Sequence, residues 1–281
     1  MKIAVLSGKG GTGKTFVSVN LAVCADKAVY LDCDVEEPNG HLFLPSEKTE
    51  TKKVYSMLPE FDADKCTGCR KCIDFCRFNA LAFIFDKPVV FPEVCHSCGG
   101  CQLVCPENAI SEEGKEVGEV LIGQHKNIKT VTGRLNIGES SGVPIIDEVL
   151  NQVPQDDSET PVIIDCPPGS ACSVMESIEL ADYCIIVAEP TMFGLHNFKM
   201  VHELVDVLKK PCGVVINKTS GENTIIVDLC REEKIPVLCR IPYTQKTAEN
   251  GAAARVASEA DENLKALFTE LLETVKKEAV K

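Results

Sequence analysis

Lys2-Ile3-Ala4-Val5-Leu6-Ser7-Gly8-Lys9-Gly10-Gly11-Thr12-Gly13-Lys14-Thr15 is the stretch that decides the fold. Its first five residues are suited to a buried strand, a glycine-rich loop follows, and residues 14–25 carry a helical pattern. Strand, loop and helix in that order make a phosphate-binding loop, in which backbone N–H groups close on an anion. Gly8, Gly10, Gly11 and Gly13 permit the close approach and Thr12 completes the loop. Lys14 is placed for the outer phosphates and the Thr15 hydroxyl for Mg2+. The ligand expected is a nucleotide with Mg2+.

Further runs rich in Val and Ile lie at residues 28–31, 162–164, 184–188, 213–216 and 237–241. They are too continuous for strands with one solvated face and suit a parallel sheet covered on both sides. Helical stripes lie between and after them, such as Phe198, Val201 and Val205, or Leu264, Phe268, Leu271 and Val275. The expected fold class is α/β, a P-loop NTPase with a mainly parallel sheet covered by helices. No apolar run approaches the roughly 20 residues of a membrane span. A strand beginning at Lys2 leaves no room for a signal peptide, so a cytoplasmic chain is expected. The net charge of −13 disfavours nucleic-acid and membrane partners, both of which require basic patches.

Eight of the 16 cysteines form two runs, Cys66-Cys69-Cys72-Cys76 and Cys95-Cys98-Cys101-Cys105, each spaced C-x2-C-x2-C-x3-C. In that spacing three thiolates of a run hold one 4Fe-4S cluster and the fourth reaches across to a second. The expected sets are Cys66, Cys69, Cys72 and Cys105 on one cluster, and Cys95, Cys98, Cys101 and Cys76 on the other. Zinc takes four ligands, commonly as two C-x2-C pairs, and does not call for this doubled third and fourth cysteine. Disulfides belong to oxidising compartments. Residues 61–111 hold six acids against five bases, so −12 of the charge of −13 lies elsewhere. This segment interrupts the α/β pattern after the second strand. The expected domains are residues 1–60 with 113–281, and an inserted α+β ferredoxin domain of bacterial type at 61–112.

Lys9 stands just before the glycine pair, so that K-G-G-T-G-K-T matches the deviant Walker A signature of the ParA/MinD ATPase group, which this chain resembles. The resemblance implies a homodimer, or a heterodimer with a paralogue, with ATP at the interface and Lys9 reaching the phosphates of the opposite subunit. It assigns Asp34, after the second strand, to positioning the attacking water with Asp32 in support. Asp165 in Ile163-Ile164-Asp165-Cys166-Pro167-Pro168-Gly169 is assigned to Mg2+ through water, Gly169 to the γ-phosphate region, and Asn217 to the adenine edge. With the cysteine insertion, the whole chain looks like the MinD/Mrp-type members of that group.

The resemblance has limits in the residues themselves. Cys212, Cys230 and Cys239 are scattered singly, without the C-x-x-C pair of cluster carriers, and Cys172 lacks an evident companion. The single cysteines Cys24, Cys184, Cys212, Cys230 and Cys239 read as small buried hydrophobes. The last helix mixes Glu262, Glu270, Glu273 and Glu278 with Lys265, Lys276 and Lys277, unlike a cationic membrane-surface helix. Two functions follow: an ATPase serving electron transfer or a metallocofactor-assembly client, or a positioning ATPase whose ferredoxin segment senses redox state or docks a partner.

Overall fold

The computed structural model describes residues 1–47, 49–154, 159–221 and 224–279. Its strands are β1 (Lys2–Leu6), β2 (Ala28–Asp32), β3 (Thr49–Phe61), β4 (Leu81–Ile84), β5 (Lys87–Val90), β6 (Ile110–His125), β7 (Ile128–Leu135), β8 (Val162–Asp165), β9 (Tyr183–Ala188), β10 (Cys212–Thr219) and β11 (Val237–Pro242). Among the described residues nine of them form one sheet in the order β11-β10-β9-β1-β8-β2-β7-β6-β3, and β4 and β5 form a separate two-stranded sheet. From β11 to β7 all neighbours are parallel; β6 and β3 are antiparallel additions at one edge.

Alternate residues of each strand point to opposite faces, and the strands divide accordingly. Leu6, Leu31, Ile164, Ile186 and Val214 enter a core closed by the helices Val143–Leu150, Cys172–Ile178, Met192–Val207 and Ile225–Glu232. Ile3, Val5, Tyr30, Ile163, Ile185 and Val215 enter the opposite core, closed by α1 (Lys14–Cys24) and the helix Glu262–Glu278. The stripe Leu264, Phe268, Leu271, Leu272 and Val275 is therefore a core face. Among the described residues no helix is long and apolar enough to cross a membrane.

The sheet contains three strands beyond the six expected. β7 was obscured by Thr130, Thr132 and Gly133, which are buried yet break the apolar run. β3 and β6 mix charged with apolar residues because they form an edge with one face near solvent.

One correction concerns the insertion. It does not follow the second strand: the chain first builds β3, leaves at Phe61 and returns at Ile110, its antiparallel partner. β6 pairs with β7 only from Gly118 to His125, so its earlier half and the end of β3 project beyond the sheet as a two-stranded ribbon. Val117 is skipped where the register shifts between Val54 and Tyr55, a bulge that redirects the ribbon. Its carbonyl accepts instead from the Asn136 N–H at 2.9 Å. The cysteine segment hangs from this ribbon and contains the β4–β5 hairpin.

Candidate functional site

β1 ends at Leu6 and α1 begins at Lys14, with the glycine loop between them. Gly13 is left-handed at φ 99°, and a Cβ there would stand 2.1 Å from Asn217 Nδ2, so the position admits only glycine. Ser7 Oγ and Thr12 Oγ1 both donate to the Lys9 carbonyl, at 2.9 and 3.0 Å. Asn217 Nδ2 donates to the Thr12 carbonyl at 2.8 Å and Lys218 Nζ to the Gly11 carbonyl at 2.6 Å. With its carbonyls claimed from behind, the loop keeps its N–H groups for an anion, and the first turn of α1 carries no acid to compete.

The loop opens on a cleft of about 570 Å3 whose walls include Lys9, Lys14, Thr15, Asp34, Pro167 and Ser173. A smaller recess beside it, about 130 Å3, is bounded by Gly13, Phe16, Asn217, Pro242 and Tyr243. The expected adenine contact, Asn217, thus lines the recess while its amide nitrogen braces the loop.

Lys14 Nζ lies 2.9 Å from Asp165 Oδ1 and 3.3 Å from Asp34 Oδ2. Burial opposes the ammonium charge, but Asp165 and Asp34 overcome it and hold the Lys14 pKa above its ordinary value. Asp34 is raised by burial, against the pull of Lys14. Asp32 is completely buried; its oxygens accept from the N–H groups of Asp34 at 3.2 Å and Gly40 at 2.9 Å. Burial first, then the adjacent Asp165, pushes its carboxyl up to about 8. The Gly169 N–H donates to the Ser7 carbonyl at 2.9 Å, tying the segment after β8 to the start of the loop.

Lys9 is engaged within its own chain. Its Nζ stands 3.0 Å from Glu189 Oε2 and 5.1 Å from the centre of the Phe193 ring. Glu189 also binds Lys218, and although burial opposes ionisation, Lys218 and Lys9 hold its carboxyl below the ordinary range. Glu189 and Lys218 escaped the sequence reading. Their one signal was position, just past the end of a buried strand and beside Asn217 respectively.

The cysteine segment brings the two crossed sets together. Cys66, Cys69, Cys72 and Cys105 line one pocket with Phe61, Phe83 and Ile110. Cys76, Cys95, Cys98 and Cys101 line another with Met57, Phe75 and Phe78. The halves repeat each other: the short helices Lys71–Phe75 and Gly100–Leu103 start from left-handed Arg70 and Gly99, and left-handed Asn79 and Asn108 follow Cys76 and Cys105. Burial raises the Cys72 and Cys101 thiols, and other cysteines of the same set add to it. The Ala109 N–H points at Cys105 Sγ from 3.3 Å, a donor suited to a thiolate. Among the described residues no three His, Cys, Asp or Glu side chains are arranged around a single metal ion. Four cysteines line each of the two apolar pockets, and soft thiolates are the donor type that iron-sulfur cores take.

Of the remaining cysteines, Cys33, Cys166, Cys184 and Cys230 are buried, Cys24, Cys212 and Cys239 are half-buried, and Cys172 is exposed. His96 stacks on Phe78 with ring centres 3.9 Å apart.

The profile of the CobQ/CobB/MinD/ParA nucleotide binding domain matches residues 3–255. An uncharacterized protein of Methanocaldococcus jannaschii is 31% identical over 279 residues, 98% of each chain. The septum site-determining protein MinD of Pyrococcus horikoshii, solved with Mg-ADP, superposes with a TM-score of 0.62 at 19% identity, covering 98% of this chain and 96% of that one. The iron-sulfur cluster carrier protein of Pyrococcus abyssi is 49% identical over 53 residues, 17% of this chain and 18% of that one.

Proposed function

This chain belongs to the CobQ/CobB/MinD/ParA nucleotide-binding family, and on that premise we propose that it is a Mg2+-dependent ATPase whose nucleotide-driven dimer serves two 4Fe-4S clusters in residues 61–112. The observation that carries this reading is the coexistence, in one chain, of the Lys14, Asp34 and Asp165 constellation and two pockets each lined by four cysteines.

The protein's own groups divide the ATPase work as follows. Loop N–H groups bind the phosphates, and an incoming phosphate competes for Lys14 Nζ, drawing it from Asp34 and Asp165. Asp34, freed from Lys14 and facing the cleft, accepts a hydrogen bond from the attacking water; burial makes it a stronger proton acceptor than an ordinary aspartate. Thr15 and Asp165 would hold Mg2+, which would supply positive charge to the transferring phosphoryl group. The recess beside Asn217 receives the base. Lys9, once released from Glu189, crosses to the phosphates bound by a second subunit, either a copy of this chain or a paralogue. Cys66, Cys69, Cys72 and Cys105 would hold one cluster and Cys76, Cys95, Cys98 and Cys101 the other. Such clusters supply one-electron transfer, and the client is an electron-transfer partner or a metalloprotein under assembly.

A second reading is favoured by the fold shared with Pyrococcus horikoshii MinD. There the ATPase positions a partner and the cysteine segment docks it or senses redox state. One experiment separates the two. Protein purified without oxygen is expected to carry about eight Fe and eight sulfide per chain, as two cubes require, and to pass electrons to an acceptor at a rate that depends on ATP. Full clusters with ATP-independent electron transfer favour the positioning reading; iron near zero, or zinc in its place, defeats both cluster assignments.

A further inference from the structure

β2 and β8 are parallel neighbours with Tyr30 opposite Ile163 and Asp32 opposite Asp165. Residues two apart share a face, so Tyr30, Asp32 and Asp165 all point to the side covered by α1. Two residues of strand rise about 6.6 Å, a distance the long phenol side chain can span. The Tyr30 hydroxyl accordingly reaches the level of the neighbouring strand's carboxylate and donates to Asp165 Oδ2 at 2.9 Å. A Val or Leu at position 30 would pack in the same core but leave that oxygen without this donor.

Asp165 is held by two donors of different kinds. Lys14 takes Oδ1 from the cleft side, where a phosphate competes for it, whereas Tyr30 takes Oδ2 from inside the core. Tyr30 is 1% exposed and forms no part of the cleft wall, so its bond persists when Lys14 turns to the nucleotide. Gly40 locks the ring from the other side: a Cβ there would lie 2.4 Å from Cε1 and 2.5 Å from the hydroxyl oxygen. The Gly40 N–H also holds Asp32 Oδ2, so the segment that starts at Asp34 ends against this phenol.

We propose that Tyr30 is a positioning residue for Mg2+-nucleotide chemistry, fixing the Asp165 carboxylate through its hydroxyl while Lys14 is engaged by phosphate. The inference rests on reading the P-loop site as a Mg2+-dependent ATPase. Partners of this outer kind commonly change metal affinity or activity by about 10–100-fold when removed.

Tyr30→Phe keeps the ring against Gly40 and deletes only the donor. Binding of a fluorescent ATP analogue is measured in EDTA and across a Mg2+ titration, together with hydrolysis. Affinity in EDTA is expected to stay within about twofold, while the Mg2+ concentration giving half of the metal-dependent response rises about tenfold or more. Gly40→Ala, which drives a methyl group into the phenol, is a second test should Tyr30→Phe fail to fold. It is expected to reproduce the Mg2+ defect in the wild-type chain and to add little to it in Tyr30→Phe. An unchanged Mg2+ requirement in Tyr30→Phe, or equal losses with and without Mg2+, overturns the positioning role alone. A wild-type chain that binds no nucleotide overturns the ATPase reading together with it.

Discussion

The nucleotide cleft and the cysteine segment are built on opposite principles. Around the P-loop the side chains are held by partners distant in sequence and closed off by core: Lys14 meets Asp165 across 151 positions, and Asn217 meets Thr12 across 205. The cysteine segment closes mainly on itself. Apart from Ala80, Leu81, Ala109 and Ile110 it buries few apolar side chains, and Phe75, Phe78, Phe85, Phe91 and Leu103 are exposed. A core of that size rarely stabilises an independent unit without a metal or another cross-link. The cleft is preformed by the fold, whereas under the proposed function the segment would depend on what its thiols bind.

The largest expected effect breaks one region and leaves the other standing. Stripping iron with a chelator under reducing conditions is expected to make residues 62–109 the first site of limited proteolysis. The P-loop domain should keep its cooperative melting and its ATP affinity. Simultaneous loss of both would contradict the division.

Lys14→Ala attacks the other region. It removes the cation facing Asp165, Asp34 and Asp32, leaving buried carboxylate charge without its partner, a change that commonly costs about 3–5 kcal/mol. ATP binding should vanish and the melting temperature fall, while iron content is unchanged. The stability loss should shrink as pH falls and Asp34, whose pKa is raised by burial, protonates.

A finer test concerns Lys9. Lys9→Ala is expected to retain ATP binding and to lose hydrolysis by roughly a thousandfold, the contribution of a charge supplied in trans. Glu189→Gln releases Lys9 from its own chain and should favour ATP-dependent dimerisation, read by sedimentation. Because Glu189 is held below the ordinary carboxylate pKa when folded, its stabilisation is present above the unfolded value of about 4.3 and fades as pH falls through the lower folded value. Wild type and Glu189→Gln should therefore converge in stability toward acid pH.

How much of this was legible in the sequence follows from the range of the interactions. The P-loop and the cysteine spacings are local, and residues such as Lys14, Thr15, Cys66 and Cys105 could be named directly. Asp165 and Asp34 were reachable only through the resemblance to the ParA/MinD group, which assigns roles to the aspartates at the end of β8 and just after β2. Tyr30 passed as one more apolar strand residue, since its role depends on β2 lying beside β8 in a particular register. The Lys9–Glu189–Lys218 cluster depends on the order of β1, β9 and β10, which no local pattern encodes. β3 and β6 were missed because ribbon strands with solvated faces lack the continuous Val and Ile signature. That omission put the insertion directly after the second strand.

The true position of the insertion sharpens the reason for joining two such regions. Val35, next to Asp34, accepts from the Leu135 N–H at 2.9 Å, and Asn136 donates to Val117 in the ribbon that carries the cysteines. Lys115 on the same ribbon pairs with Glu139 at 2.8 Å. A continuous path of backbone and ion-pair contacts therefore joins the segment after Asp34 to the ribbon that carries the cysteines, the route along which the proposed coupling would run.

The most direct measurement is a pair of titrations on anaerobic protein: cluster potentials with and without a non-hydrolysable ATP analogue, and ATP affinity in the oxidised and reduced states. Binding couplings are reciprocal, so a potential shift of about 59 mV for a one-electron step must appear as an affinity change of about tenfold. Matching shifts are expected. Potentials and affinities that both stay fixed would contradict coupling and leave the cysteine segment a passive attachment on the ATPase.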